Sequence, residues 1–156
     1  MMEPIFVGVD PGGNGGIAWQ CGVRVWALKT PPDDADLWAV IHTLAISNAD
    51  TGGSTLILAV LEKVGGFVRG SAGNIGSAMF QFGASYGKAK AFLIAAGIQT
   101  VEVAPTTWQR KLGMEPRRGQ ETKGQWKCRL KARAAELFPP LKVTLQTADA
   151  LLLSEY

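Results

Sequence analysis

Apolar positions along this chain fall into short blocks and spaced stripes that define its elements before any chemistry is considered. Ile5–Asp10 is a brief apolar run with β-branched residues, the pattern of a buried strand. Residues 11–16, Pro-Gly-Gly-Asn-Gly-Gly, form a turn rich in residues that tolerate positive φ. Ile17–Gln20 and Val23–Leu28 are predicted as the next two strands, joined tightly at Cys21-Gly22, so the chain opens as a three-stranded antiparallel meander. Thr30-Pro31-Pro32 breaks it. Asp33–Ser47 then reads as an amphipathic helix with acidic residues in its first turn, where the helix dipole favours negative charge. Thr55–Glu62 is another apolar strand, closed by a charge.

Gly65–Gly73 is a glycine-rich loop holding Phe67 and Arg69. From Asn74 to Ala96 the spacing predicts a long helix. Ile75, Met79, Phe82, Tyr86, Ala89 and Leu93 recur at intervals of four and three, giving one continuous apolar stripe. Gly76, Phe80, Gly83 and Gly87 make a second, flatter stripe, which would let another backbone approach, either within the fold or across a dimer. Thr100–Val103 is a strand, and Pro105–Leu112 a short helix with proline in its first turn. Gly113–Gly124 is a polar, basic loop, Gln125–Leu137 a basic helix stopped by Pro139-Pro140, and Thr147–Tyr156 a final helix without a stop signal. The order predicts one α/β domain over 1–156, a mixed five-stranded sheet flanked by helices.

Composition adds class and compartment. The 156 residues are 47% hydrophobic and 19% charged, the balance of a globular chain that can bury a core without staples. Apolar runs such as Thr55–Leu61 and Ala148–Leu153 fall far short of the ~18 residues a membrane span needs, and Met1–Asp10 lacks a signal-peptide layout. Cys21 and Cys128 form no CxxC pair, and the chain has one histidine, which argues against a zinc site or a disulfide scaffold. The expectation is a reduced, soluble, cytoplasmic protein without a membrane partner. Charge is unevenly spread: residues 1–104 carry a net −2, 105–142 a net +7 and 143–156 a net −2. A basic block beside an acidic remainder points to a polyanion, foremost nucleic acid, against the plainer reading of a solvated helix face.

Three carboxylates stand out because they end or interrupt apolar segments. Asp10 closes the first strand, Glu62 closes the strand after Leu58-Ala59-Val60-Leu61, and Asp149 precedes Ala150-Leu151-Leu152-Leu153. A buried acid is costly unless it is paired, hydrogen-bonded or bound to metal, and three converging acids suit a hard divalent cation. Singly, each has an ordinary reading as a turn former, a strand-end charge or a helix-start residue.

In their order these residues carry a resemblance. Val7-Gly8-Val9-Asp10-Pro11-Gly12 with its glycine turn, the strand ending in Glu62, Val103-Ala104-Pro105-Thr106-Thr107-Trp108-Gln109-Arg110, and Ala148-Asp149-Ala150-Leu151 resemble the successive motifs of RuvC-type Holliday-junction resolvases, over essentially the whole chain. The Gly65-Gly66-Phe67 loop and the Lys127…Leu137-Phe138-Pro139 spacing are most similar to the chloroplast-type and the phage or bacterial relatives. One departure stands out: that family places an Asp or His three residues before the final acid, and this chain has Gln146 there.

The resemblance implies a ribonuclease-H-like fold and a homodimer that hydrolyses DNA four-way junctions in recombination and repair. It implies Asp10, Glu62 and Asp149 as metal ligands for two Mg²⁺ ions, with Mn²⁺ able to substitute, Asp10 bridging and Gln146 in support. Lys127, or Lys131 one turn on, is the candidate lysine beside the scissile phosphate, where a cation offsets transition-state charge. Arg110, Lys111, Arg117, Arg118, Lys123, Arg129, Lys131 and Arg133 would grip phosphates, and Phe67 and Arg69 would probe an opened junction centre. The competing readings are a ribonuclease-H-like nuclease acting on RNA–DNA hybrid or flap DNA, and a junction-binding module that does not cut. An actin- or sugar-kinase-like ATPase also opens with strand, acid and glycine turn, but needs a second phosphate loop and a longer chain.

Overall fold

Strand alternation decides which side chains meet which layer. In a computed structural model, which describes residues 3–49, 55–63, 65, 75–115, 119 and 121–156, β1 (Ile5–Asp10), β2 (Gly16–Cys21) and β3 (Arg24–Lys29) form the antiparallel meander. After α1 (Asp34–Ala49), β4 (Ile57–Glu62) pairs parallel to β1. After α2 (Ile75–Ala95), β5 (Gln99–Val103) pairs parallel to β4. The sheet order is therefore β3-β2-β1-β4-β5. Three helices complete the described chain: α3 (Pro105–Lys111), α4 (Lys123–Leu137) and α5 (Ala148–Glu155).

Because successive side chains point to opposite faces, Val7, Val9, Ala59 and Leu61 face α1 and α2, where they join Leu37, Ile41, Ala89 and Leu93 in one core. Gly8, Ala18 and Val60 face the other way, toward α5, with α4 outside it. α5 is buried from Ala148 to Ser154, as a helix apolar all round must be. Glycines let it lie so close. A Cβ on Gly8 would stand 2.0 Å from the Ala150 carbonyl oxygen, and one on Gly16 2.6 Å from that of Gln146. The turn before α5 is pinned by Thr144 and Thr147, whose backbone N–H groups each donate to the other's hydroxyl, at 3.0 and 3.2 Å.

Two expectations shift. The hairpin between β2 and β3 turns at Gly22-Val23: Gly22 takes φ 57°, Cys21 still pairs with Arg24, and Val23 is 99% exposed. The apolar stripe of α2 holds only over its C-terminal half. Ala89 and Leu93 are buried, Tyr86 is half-buried, and Phe82 is exposed. Met79 is half-buried, Phe80 is exposed, and a Cβ on Gly76, Gly83 or Gly87 would meet nothing within 4 Å. Among the described residues no helix is long and apolar enough to cross a membrane.

Candidate active site

Asp10 and Glu62 are the last residues of adjacent parallel strands, one step past the Val9–Leu61 pair. Alternation puts both on the α5 face, since their inner neighbours Val9 and Leu61 face α1 and α2. The β4–β5 ladder continues beyond Glu62, with Lys63 N–H donating to the Val103 carbonyl at 2.8 Å. From α5, whose axis crosses β1, Asp149 supplies the third acid, 3% exposed against 8% for Asp10. The topology thus brings together the three acids singled out in the sequence.

Their electrostatics follow from crowding in a dry place. Burial first, then the Glu62 and Asp149 carboxylates, hold the Asp10 carboxyl well above its ordinary range, with Lys127 acting the other way. Burial and Asp149 push Glu62 up to about 7, against a hydrogen bond from Trp108 and the charge of Lys127. Lys127 reaches in from α4 to form an ion pair with Asp149 Oδ2. Burial acts to lower its proton affinity, but Asp149, Asp10 and Glu62 outweigh that and hold its ammonium above the ordinary range. Position along α4 explains why Lys127, and not Lys131 one turn on, is the lysine that reaches the acids. The capping box of Thr122 and Gln125 fixes the start of α4, Trp126, Leu130 and Ala134 face the core, and Lys131 is exposed.

The remaining candidates are spread around this centre. Arg110, Lys111, Lys123 and Lys131 are exposed, and Lys111 lies over the Tyr156 ring at 4.6 Å. Lys123, Lys127 and Lys131 recur every four residues and so share one side of α4. Arg129 is engaged within the chain: it donates to both Glu121 carboxylate oxygens, at 2.7 and 3.0 Å, and stacks on Trp126. Arg133 pairs with Glu136 at 3.2 Å. Gln146 is half-buried in the turn ahead of α5, its backbone against Gly16. Phe67, Arg69, Arg117 and Arg118 lie outside the described residues.

The sequence reading missed one residue. Trp108 on α3 is fully buried, and its indole Nε1–H donates to Glu62 Oε2 at 2.8 Å. The available signal was a tryptophan one turn into a proline-started helix, because a buried indole N–H needs an acceptor.

A divalent cation fits this donor set chemically. All three acids offer oxygen, which hard cations take, and Asp149 Oδ1 is a buried atom without a hydrogen-bond partner, an arrangement that costs energy unless something else satisfies it. Among the described residues no group of three or more His, Cys, Asp or Glu side chains is placed so that it could hold a metal ion as it stands.

The same arrangement of strands and helices occurs in solved structures. The Thermus thermophilus RuvC structure aligns over 96% of this chain and 90% of its own, with a TM-score of 0.52. T. thermophilus RuvC in complex with a Holliday junction substrate aligns over the same shares, with a TM-score of 0.55. The fold is RuvC-like. Identity is 14% in both alignments, so the likeness is one of fold. No protein-family model matches the sequence, and no curated protein matches it. Within the RuvC-like frame, the ends of β1 and β4 and the first turn of α5 are where Asp10, Glu62 and Asp149 stand.

Proposed function

We propose that this chain is a divalent-cation-dependent endonuclease that resolves four-way DNA junctions. The observation that carries the reading is the convergence of Asp10, Glu62 and Asp149 from three elements, beside a lysine. The RuvC-like fold supports it, and one of the structures sharing that fold contains a Holliday junction substrate. The motif pattern supports a place in the chloroplast-type and phage or bacterial branch.

Asp10, Glu62 and Asp149 would hold two Mg²⁺ ions, or Mn²⁺ in their place. The cations, when bound, supply Lewis acidity to the scissile phosphate and activate the attacking water. What the chain itself does is hold three acids in a dry pocket and keep Lys127 charged beside them. That ammonium is placed to meet negative charge building on the phosphoryl oxygens, and electrostatics of this kind are strong where water is excluded. The row Lys123, Lys127 and Lys131 on α4, with Arg110 and Lys111 on α3, supports a phosphate track running past the acids. Contacts of that kind position DNA without reading its sequence. Arg129 and Arg133, on another side of α4 and engaged with Glu121 and Glu136, are proposed as further phosphate contacts, as are Phe67, Arg69, Arg117 and Arg118.

Two cuts in a two-fold-symmetric junction need two active sites, which a C2 dimer provides. The open face of α2, with Gly76, Phe80, Gly83 and Gly87, is the proposed interface. The test is a panel of four-way junction, flap DNA, linear duplex and RNA–DNA hybrid, incubated with Mg²⁺ and with EDTA. Cutting confined to the junction and dependent on Mg²⁺ is expected. Equal cutting of hybrid or flap would transfer the proposal to those substrates, and junction binding without cutting would make this a recognition module.

A further inference from the structure

Trp108 is the largest side chain in the protein with no exposure at all, and its polar atom points at the site. Its indole Nε1–H donates to Glu62 Oε2 at 2.8 Å. The ring packs in the core beneath α4 and α5 with Trp126, Leu130 and Leu151. The helix carrying it is only seven residues long, opened by Ala104 and Pro105 directly after β5. β5 in turn pairs with β4 through the Glu62–Val103 register. Trp108 and Glu62 are thus clamped to each other twice, by backbone ladder and by side-chain bond.

We infer that Trp108 is a positioning residue: it fixes the Glu62 carboxylate so that one oxygen is held by the indole and the other is left for a divalent cation shared with Asp10 and Asp149. The inference rests on the cation site proposed above. Three physical points carry it. A carboxylate at a strand end has free χ torsions, and a charge-assisted bond to a fully buried donor removes that freedom. The donor cannot swing away, because the core holds the ring on all sides. An indole offers a donor and no acceptor, so it satisfies one oxygen without competing for the cation. A partner of this kind orients a metal-binding carboxylate from outside the coordination shell, and loss of such partners typically lowers metal affinity about 10- to 100-fold.

The test is Mn²⁺ binding to the intact protein in the absence of DNA, followed by electron paramagnetic resonance, for wild type and Trp108→Phe, with melting temperatures alongside. Leu130→Val, in the same core cluster but with no polar atom to bond an acid, is the control for packing loss. The expected result is a fall in Mn²⁺ affinity of about 10-fold or more in Trp108→Phe, with affinity kept in Leu130→Val at a comparable loss of thermal stability. Equal affinities in wild type and Trp108→Phe would overturn the positioning role and leave the cation site standing. No Mn²⁺ binding by the wild type would overturn both. A second measurement needs no core variant: the indole N–H resonance that Glu62→Gln displaces should move when Mg²⁺ is titrated into the ¹⁵N-labelled wild type. An unmoved resonance, with Mg²⁺ bound, overturns the inference.

Discussion

Replacing Gly8 with alanine tests how the acids are assembled, because the substitution acts on the seam between β1 and α5 and touches no acid directly. The new Cβ would lie 2.0 Å from Ala150 O, 2.5 Å from Ser154 N and 2.9 Å from Leu153 Cβ, where ordinary contact begins at 3.4 Å. Two of these atoms are backbone, so no rotamer change relieves the clash. α5 has to withdraw from β1 by about 1.4 Å, the gap between 2.0 and 3.4 Å, and Asp149 moves with it. Overpacking of this kind costs about 1–3 kcal/mol. At roughly 2–4 °C per kcal/mol for a chain of this size, Tm should fall by about 2–12 °C. A displacement near 1 Å in the reacting groups costs on the order of 100-fold in rate. Circular dichroism melts and cleavage assays well below Tm read the two effects. Gly124→Ala is the control: it sits inside α4 with its nearest neighbour at 3.9 Å, so it should raise stability by about 0.5–1 kcal/mol. A Gly8→Ala protein with wild-type Tm and wild-type cleavage would refute the claim that this close approach builds the site.

Further outcomes follow from the charges. The folded protein keeps a proton on Glu62 up to about pH 7, whereas an unperturbed glutamate loses it near 4.5. Stability without metal should therefore be greatest below 4.5 for this group, fall as pH rises to about 7, and level off above, by at most about 3 kcal/mol; Asp10 is shifted in the same direction. Denaturant melts from pH 4 to 8 in EDTA measure this, and a rise in stability over that window would contradict the crowding of the acids. Cation binding must displace those protons, so Mg²⁺ affinity should increase from pH 5.5 to 8, checked by calorimetry in two buffers of different ionisation heat. Lys127→Met removes the cation beside Asp149, whose pairing partner is 33% exposed. It should cost about 1–3 kcal/mol in EDTA after allowance for that exposure, with millimolar Mg²⁺ recovering part of the loss in Tm. A Cβ on Gly87 meets nothing within 4 Å, so Gly87→Gln should leave the monomer's stability intact while converting the proposed dimer to monomer in sedimentation velocity.

Much of this arrangement was legible in the residues. Ile5–Asp10 was bounded correctly because a charge and a proline-glycine turn end an apolar run, and those are local signals. The site acids were visible for a related reason: a carboxylate beside Val60-Leu61 or Ala150-Leu151 conflicts with its surroundings. The misjudgements came where tertiary contact decides. Phe82 fits a perfect stripe yet is exposed, because the periodicity of a helix carries no record of which of its turns finds a tertiary neighbour. The Gly22-Val23 turn was displaced by one residue because Val23 looks like strand and is in fact fully exposed. The choice between Lys127 and Lys131, which share one side of α4, depended on which turn of that helix lies beside Asp149, a tertiary contact. Trp108 gave no sign of its partner, since Glu62 lies 46 residues earlier in the chain and only the β4–β5 pairing brings them together.

The central claim is that the three acids form one hydrolytic centre for junction DNA. The most direct measurement is cleavage of an end-labelled, mobile four-way junction in Mg²⁺ by wild type and Asp10→Asn, with the cut positions mapped on all four strands. The account expects paired nicks in opposite strands of the junction and a loss of about 100-fold or more in Asp10→Asn. Junction cleavage that persists in Asp10→Asn, or an absence of cleavage by wild-type protein that binds both junction and Mg²⁺, would contradict it.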